Sequence, residues 1–301
     1  MKCRYRHFIF LKEVFMLKAV CLDLDGTLLD DDKKISPRSF RLLDNLIGNG
    51  IEVVIATGRH FYMASGFLQP LKRDIMVCAN NGAMSRFKES SKLVNVEYIN
   101  NSKFLEVYNK ALDCGMNPYV YVDSFVDGYH LAIKDGQPPK SHFEENIADK
   151  KIATDSIRYF SQVDMNSLET VLCIAFLDQK EKIDEFYGLF KDEHNLVKNR
   201  YFVPNGKKVL EFQSEKADKW VAITNYLKSK NIELSDVVSF GDEFNDKSMI
   251  KNSGIGFAMK NGIDELKSLT NNITEFTNNE DGVYFELKKL FKDVLGEKNG
   301  L

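Results

Sequence analysis

The chain has 301 residues, of which 44% are hydrophobic, 12% aromatic and 28% charged, fractions that exclude a wholly disordered or collagen-like protein. Lys+Arg 41 against Asp+Glu 44 leave a formal charge of −3, a balance that gives no global attraction to nucleic acid or to an anionic membrane. The length fits one large domain or two ordinary ones, and no apolar run approaches the roughly 18 residues needed to span a bilayer.

The N-terminus, MKCRYRHFIFLKEVF, starts basic, but Lys12 and Glu13 interrupt its apolar run after Leu11. A secretory signal needs about 7–15 apolar residues and a small-residue cleavage site. Residues 1–15 therefore read as an extension, with Met16 opening the fold proper. Cys3, Cys21, Cys78, Cys114 and Cys173 make an odd count without a CxxC pair, which argues against a disulfide framework or zinc cluster and fits a reducing cytoplasm.

Residues 18–22 form a short apolar run ending at Asp23, the pattern of a strand buried on both faces. Ser36-Pro37 then reads as a helix start, Ser at the N-cap and Pro at the first helical position, and Gly48-Asn49-Gly50 ends that helix. Residues 51–56 predict a second buried strand closed by Thr57-Gly58-Arg59, followed by a helix to about residue 71. Residues 75–79 predict a third strand running into Asn80-Asn81-Gly82. Strands alternating with helices indicate a parallel sheet, whose ligands gather beyond the carboxyl ends of the strands.

From about 85 to 212 the texture changes to short alternating stretches at 119–122 and 171–177, with helical patterns near 102–114 and 180–192 and a loop at Gly136-Gln137-Pro138-Pro139. The βα pattern resumes with a helix over 217–230, a strand over 237–240, a helix over 245–251, a strand over 255–259 and a last helix near 283–295. The expectation is an α/β protein: a Rossmann-like core of residues 16–84 and 213–301, interrupted by an α+β block of residues 85–212.

Four stretches carry chemistry. Asp23-Leu24-Asp25 sets two carboxylates on the same side of a strand end, where they repel unless a cation lies between them or one is protonated. Hard oxygen ligands favour Mg²⁺. One carboxylate could be a nucleophile and the other a general acid and base. Thr57-Gly58 offers a hydroxyl and backbone N–H groups to an anion, although an ordinary helix cap has the same composition. Lys219 could neutralise phosphate beside the carboxylates; Lys216, Lys207 and Lys208 compete for that role. Gly241-Asp242-Glu243-Phe244-Asn245-Asp246 places a further carboxylate directly after an apolar strand, where a helix-capping loop would look alike.

Together DLDGTLL (23–29), VVIATGR (53–59), NNGA (80–83), the lysine segment at 216–219, GDEFNDKSMI (241–250), GFAMKNG (256–262) and NNEDGV (278–283) resemble the haloacid dehalogenase superfamily of phosphohydrolases, Cof-like branch, with a large cap inserted after the third core strand. The resemblance covers residues 16–295. It implies Asp23 as nucleophile and Asp25 as acid and base. Mg²⁺ would be held by Asp23, the backbone carbonyl of Asp25, and Asp242. Phosphate would meet the backbone of Leu24 and Asp25, Thr57, Gly58, Lys219 and Asn245, with Asp246 behind them. Where the family shows lysine followed by glycine, Lys219 precedes Trp220, so Lys216 stays an alternative.

The resemblance further implies a small phosphate ester as substrate, a sugar phosphate or a phosphorylated cofactor, while the charge balance and the lack of a spanning apolar run argue for no nucleic acid or membrane partner. In the inserted block Tyr119, Tyr121, Asp123, Asp127, Tyr129 and His130 could contact substrate, although alternating aromatics more often pack a sheet face. A phosphomutase of the same superfamily would share these motifs but retain its phosphate. A non-catalytic phosphosugar-binding regulator would be expected to lack a nucleophile or metal carboxylate, and none is missing.

Overall fold

The computed structural model of the chain describes residues 17–137, 156–203 and 206–296. The N-terminal extension, Cys3, and Pro138-Pro139 of the expected loop lie outside the described residues.

Two sheets organise the chain. The larger has eight strands: β1 (Ala19–Leu22), β2 (Glu52–Ala56), β3 (Met76–Ala79), β4 (Met84–Phe87), β5 (Leu93–Val96), β12 (Val237–Gly241), β13 (Ile255–Ala258) and β14 (Asn272–Ile273). Their order is β14-β13-β12-β1-β2-β3-β4-β5. All neighbours from β14 to β3 run parallel, while β4 and β5 are antiparallel additions. The smaller has six: β6 (Tyr119–Val122), β7 (Leu131–Ile133), β8 (Ile157–Tyr159), β9 (Val171–Gln179), β10 (Leu196–Phe202) and β11 (Lys207–Ser214), ordered β10-β11-β9-β6-β7-β8.

The apolar runs read as doubly buried strands are just that. Along β1, Val20 and Leu22 enter one core while Ala19 and Cys21 enter another on the opposite face. The period-2 alternation of the middle block divides the smaller sheet in the same way. Val120, Val122, Phe176, Leu210 and Phe212 pack one face, and Tyr119, Tyr121, Cys173 and Ala175 the other. Cys21, Cys78, Cys114 and Cys173 are all free thiols.

Helix α1 (Pro37–Gly48) starts as expected, Ser36 accepting a hydrogen bond from the Ser39 N–H and Pro37 at the first turn. Helix α2 (Phe61–Phe67) stops short of residue 71. Pro70 explains this, because a proline disfavours helical backbone in the residue before it and donates no N–H. Helix α3 (Asn101–Asp113), a single turn α4 (Ser124–Asp127) and α5 (Lys180–Gly188) belong to the middle stretch. Helix α6 (Lys219–Ser229) begins where the Asp218 carboxylate caps the Val221 N–H. The remaining helices are α7 (Lys247–Asn252), the single turn α8 (Asp264–Lys267) and α9 (Gly282–Leu290), the last five residues shorter than the pattern suggested.

The change of texture at residue 85 is not a change of sheet. Strand β4 hydrogen-bonds onto β3 and β5 onto β4 in the larger sheet, so the chain that builds the smaller one begins only after Val96. A hairpin added to a sheet edge has the same period-2 pattern as a strand of a separate sheet, so the sequence hides the distinction. The two sheets meet through a buried ion pair. Arg86 of β4 lies 3.1 Å from Asp123, which also accepts a 2.8 Å hydrogen bond from the Tyr98 hydroxyl.

Candidate active site

Strand β1 lies between β2 and β12, the point where the chain order of the parallel sheet reverses direction. Side chains at the carboxyl ends of these strands converge there. Asp23 follows β1, Thr57 follows β2, Asn80 follows β3 and Asp242 follows β12. A cavity of about 590 Å³ opens above them. Asp23, Asp25, Thr57, Gly58, Asn81, Asp242 and Asn245 line it from the larger sheet, and Asn199, Tyr201, Phe202 and Glu211 from the smaller.

Lys219 lies beneath. Its side chain is 1% exposed, and its ammonium sits 2.7 Å from Asp23 Oδ1 and 2.8 Å from Asp246 Oδ1. Lys216 is exposed, Lys207 is exposed, and Lys208 pairs with Asp184 in the smaller sheet's layer. Of the competing lysines, Lys219 is the one that reaches the carboxylates. Trp220 is buried in a core beside Cys78 and Ile223, so the aromatic that replaces glycine there turns away from the cavity.

Asp23, Asp242 and Asp246 each place a carboxylate oxygen within 4.8 Å of the others. Asp242 Oδ1 accepts a 3.1 Å hydrogen bond from the Thr27 hydroxyl. Asp246 differs from the other two. Its Oδ2 accepts the backbone N–H groups of Asp242 and Glu243 at 3.0 and 3.1 Å, and its Oδ1 accepts from Lys219. It therefore braces the Asp242 loop. Gly26 makes room for this packing: at φ +71° a Cβ would stand 2.1 Å from Asp242 Oδ2.

The electrostatics fit a bound cation. Three carboxylates against one ammonium leave an excess of negative charge in a buried space. Burial raises Asp23 to about 7, with Asp246 and Asp25 adding to the rise and Lys219 opposing it. Burial, and then the charges of Asp23 and Asp246, push Asp242 up to about 9. Burial disfavours the Lys219 ammonium, but the two carboxylates outweigh it and hold the group well above its ordinary range. Three carboxylates drawn together beside a single ammonium are hard oxygen donors that could hold a divalent ion.

Asp25 has a different environment. Arg59 donates to both its oxygens, Nε to Oδ2 and Nη2 to Oδ1, each at 2.6 Å, and Lys33 donates to Oδ1 at 2.8 Å. Burial acts to raise its pKa, yet these two cations hold it at about 2. Thr57 is buried, and its hydroxyl accepts the Arg59 N–H at 3.1 Å. The Leu24 side chain is fully buried in the core, leaving only its backbone for any ligand. Asn245 donates to Asn81 Oδ1 at 2.8 Å.

Of the aromatic and acidic cluster in the middle stretch, none lines the large cavity. Tyr119 and Tyr121 pack a face of the smaller sheet, and Asp123 is wholly buried against Arg86 and Tyr98. Residues that line the cavity from that sheet, among them Asn199, Tyr201, Phe202 and Glu211, carry no motif that the sequence reading picks out. Neither were Lys33 or Gln213. Arg59 and Asn81 stood inside recognised motifs without a role.

A family model described as haloacid dehalogenase-like hydrolase matches residues 20–287. The chain belongs to that family. Among curated relatives, Phosphatase YwpJ of Bacillus subtilis (strain 168) is 27% identical over 291 residues, covering 91% of this chain and all of the relative. From the same organism, 5-amino-6-(5-phospho-D-ribitylamino)uracil phosphatase YitU is 27% identical over 280 residues, covering 90% and 97%. A solved haloacid dehalogenase-like hydrolase from Bacteroides thetaiotaomicron superposes with a TM-score of 0.77 at 23% identity, covering 91% of this chain and all of that one, which shows the shared fold. This haloacid dehalogenase-like hydrolase is thus an enzyme of the phosphatase kind. Among the described residues no helix is long and apolar enough to cross a membrane.

Proposed function

We propose that this phosphatase hydrolyses small phosphorylated metabolites through an aspartyl-phosphate on Asp23, with Mg²⁺ held by Asp23, the Asp25 carbonyl and Asp242. The observation that carries the reading is the placement of Asp23. It is the carboxylate at the switch point of the sheet, it faces the 590 Å³ cavity, and it has a buried ammonium at 2.7 Å. When bound, the metal supplies positive charge to the phosphoryl oxygens.

The protein's own groups account for the remainder. An Asp23 oxygen attacks phosphorus, and the bond from phosphorus to the leaving oxygen breaks. Asp25 gives that oxygen a proton. Water then attacks the aspartyl-phosphate, Asp25 takes the proton back, and the Asp23 carboxylate and inorganic phosphate are released. Lys219, Thr57 and Asn245 offset the charge that develops on the phosphoryl group. Asp25 stands ionised in the Arg59 and Lys33 grip, the form that accepts a proton from water. Its role as acid requires that grip to loosen as the substrate enters.

The smaller sheet and its helices, reached by the chain after Val96 and left at Ser214, serve in this reading as a cap that covers the phosphoryl centre and contacts the leaving group. The substrate in this reading is a sugar phosphate or a phosphorylated cofactor, and the compound in YitU's name, a phosphorylated ribityl chain on a pyrimidine, is a natural first candidate. The buried free thiols of Cys21, Cys78 and Cys173 support a reducing cytoplasmic setting.

The test is release of inorganic phosphate from p-nitrophenyl phosphate and from a panel of phosphorylated metabolites. Activity should require a divalent ion and vanish in Asp23→Asn. Turnover that survives that substitution, or that persists in excess chelator, defeats the reading.

A further inference from the structure

The Asn80-Asn81-Gly82 turn is held in an unusual conformation. Asn80 and Asn81 are buried and both have left-handed backbone, φ +48° and +52°. That region costs a residue with a side chain roughly 1–2 kcal/mol, and asparagine tolerates it better than most. Tolerance explains the residue type. It does not explain where the side chains point.

Gln213 of β11 is fully buried, and its Nε2 lies 2.8 Å from the Asn80 carbonyl. A backbone carbonyl can only accept, so this contact fixes which end of the Gln213 amide is nitrogen. Its Oε1 must then face the other way, where it accepts from Asn81 Nδ2 at 3.2 Å and from Asn199 Nδ2 at 2.9 Å. With its nitrogen so committed, Asn81 presents Oδ1 to Asn245, which donates Nδ2 at 2.8 Å. One backbone carbonyl thereby sets the orientation of three successive side-chain amides. The last of them lines the cavity.

We propose that the amides of Gln213 and Asn81 are positioning residues that lock Asn245 with its NH₂ toward the substrate phosphate, and that they tie this orientation to the seating of the smaller sheet. The coupling follows from the connectivity. Gln213 and Asn199 belong to β11 and β10, while Asn81 and Asn245 belong to the larger sheet's loops. A shift of the smaller sheet would withdraw the acceptor from Asn81 and free the Asn245 amide to turn its oxygen toward phosphate. The inference rests on the reading of Asn245 as a phosphate donor.

The test is a double-mutant cycle read as the inhibition constant of inorganic phosphate against p-nitrophenyl phosphate hydrolysis. Asn81→Gly removes the amide while glycine accepts the positive φ, and Gln213→Met removes the other amide at similar volume. Each should raise the phosphate inhibition constant by up to about tenfold in an otherwise unchanged chain, the weight of one hydrogen bond. In an Asn245→Ala background each should change it less than about twofold, because the group they aim is gone. Effects that multiply in full in that background overturn the proposal, as does an unchanged constant in the single variants. Failure of both variants to fold also overturns it, since the amides would then serve the junction and not the donor. If the unsubstituted protein releases no phosphate from any ester, the proposed function itself falls, a result distinguishable from the others.

Discussion

Lys219 Nζ lies 2.7 Å from Asp23 Oδ1 in a space that leaves the two side chains 1% and 7% exposed. The same ammonium meets Asp246, itself wholly buried, at 2.8 Å. Such a cluster is held by its own completeness. Removing one partner of a buried ion pair costs about 3–5 kcal/mol, because an uncompensated charge stays behind. Lys219→Met should therefore lower the unfolding free energy at pH 7 by up to that amount, proton uptake by Asp23 limiting the loss, measured by urea titration in chelator. The loss should shrink toward acid pH, where the abandoned carboxylates take up protons. A change below about 1 kcal/mol at pH 7, the weight of a surface pair, would show that Lys219 does not balance the charge of its neighbours.

The double grip of Arg59 on Asp25 bears on the proton of the leaving group. General acid help is worth about 10²–10⁴-fold where the leaving oxygen is strongly basic, and little where it leaves readily as an anion. Asp25→Asn should thus lower kcat/KM severely for an alkyl phosphate and much less for p-nitrophenyl phosphate. The ratio kcat/KM is the right measure, since it reports the steps up to cleavage of the ester bond and not the later attack of water. Equal losses on the two esters would remove Asp25 from the acid role.

Removing the metal's proposed ligand should have opposite effects in the presence and absence of the metal. Asp242 is raised from 3.8 to about 9, by burial first and then by Asp23 and Asp246. A carboxylate raised on folding costs no stability below its unfolded pKa and progressively more as pH climbs toward the folded one. In chelator at pH 8, Asp242→Asn should then stabilise the fold by more than about 1.4 kcal/mol, the worth of a single pKa unit. In Mg²⁺ at a hundredfold excess over its dissociation constant, the unsubstituted protein should gain about 2.7 kcal/mol and the variant should gain none. Thermal denaturation with and without Mg²⁺ reads both. A variant that is no more stable in chelator, or that responds to Mg²⁺ like its parent, would place the cation elsewhere.

Much of this site was legible because strand ends are legible. An apolar run that stops at Asp23, Thr57 or Asp242 gives both the strand and the residue it delivers, since in a parallel sheet the two are linked by geometry. Lys219 was harder, as the expected glycine after it is Trp220, and only the buried contact with Asp23 separates it from exposed Lys216. The wall formed by Asn199, Tyr201 and Glu211 could not be read. Those residues alternate along β10 and β11 with Lys198, Arg200 and Leu210, a pattern that says which residues share a face and nothing about what the face meets. The β4–β5 hairpin was misplaced for the same reason: period 2 marks a strand without naming its sheet.

Glu211 gives the smaller sheet's face a pH dependence of its own. Its carboxylate is buried in the cavity wall, where it accepts a 2.9 Å hydrogen bond from the Tyr201 hydroxyl. Burial raises it from 4.5 to about 7, with the Tyr201 hydrogen bond opposing the rise. The sign follows directly. Below about pH 4.5 Glu211 is neutral both folded and unfolded and has no pH-linked effect. Between 4.5 and 7 the unfolded chain ionises it while the fold resists, so stability falls as pH rises, and above 7 the full penalty stands. Glu211→Gln keeps an acceptor for Tyr201 and cannot ionise. It should leave stability almost unchanged at pH 4.5 and increase it at pH 8, on the order of 2 kcal/mol. Urea titrations of both proteins at the two pH values measure the difference. A gain that is the same at both, or a loss at pH 8, would mean that the carboxylate is stabilised as an anion by a partner in the cavity wall, and that its burial is not what sets its charge.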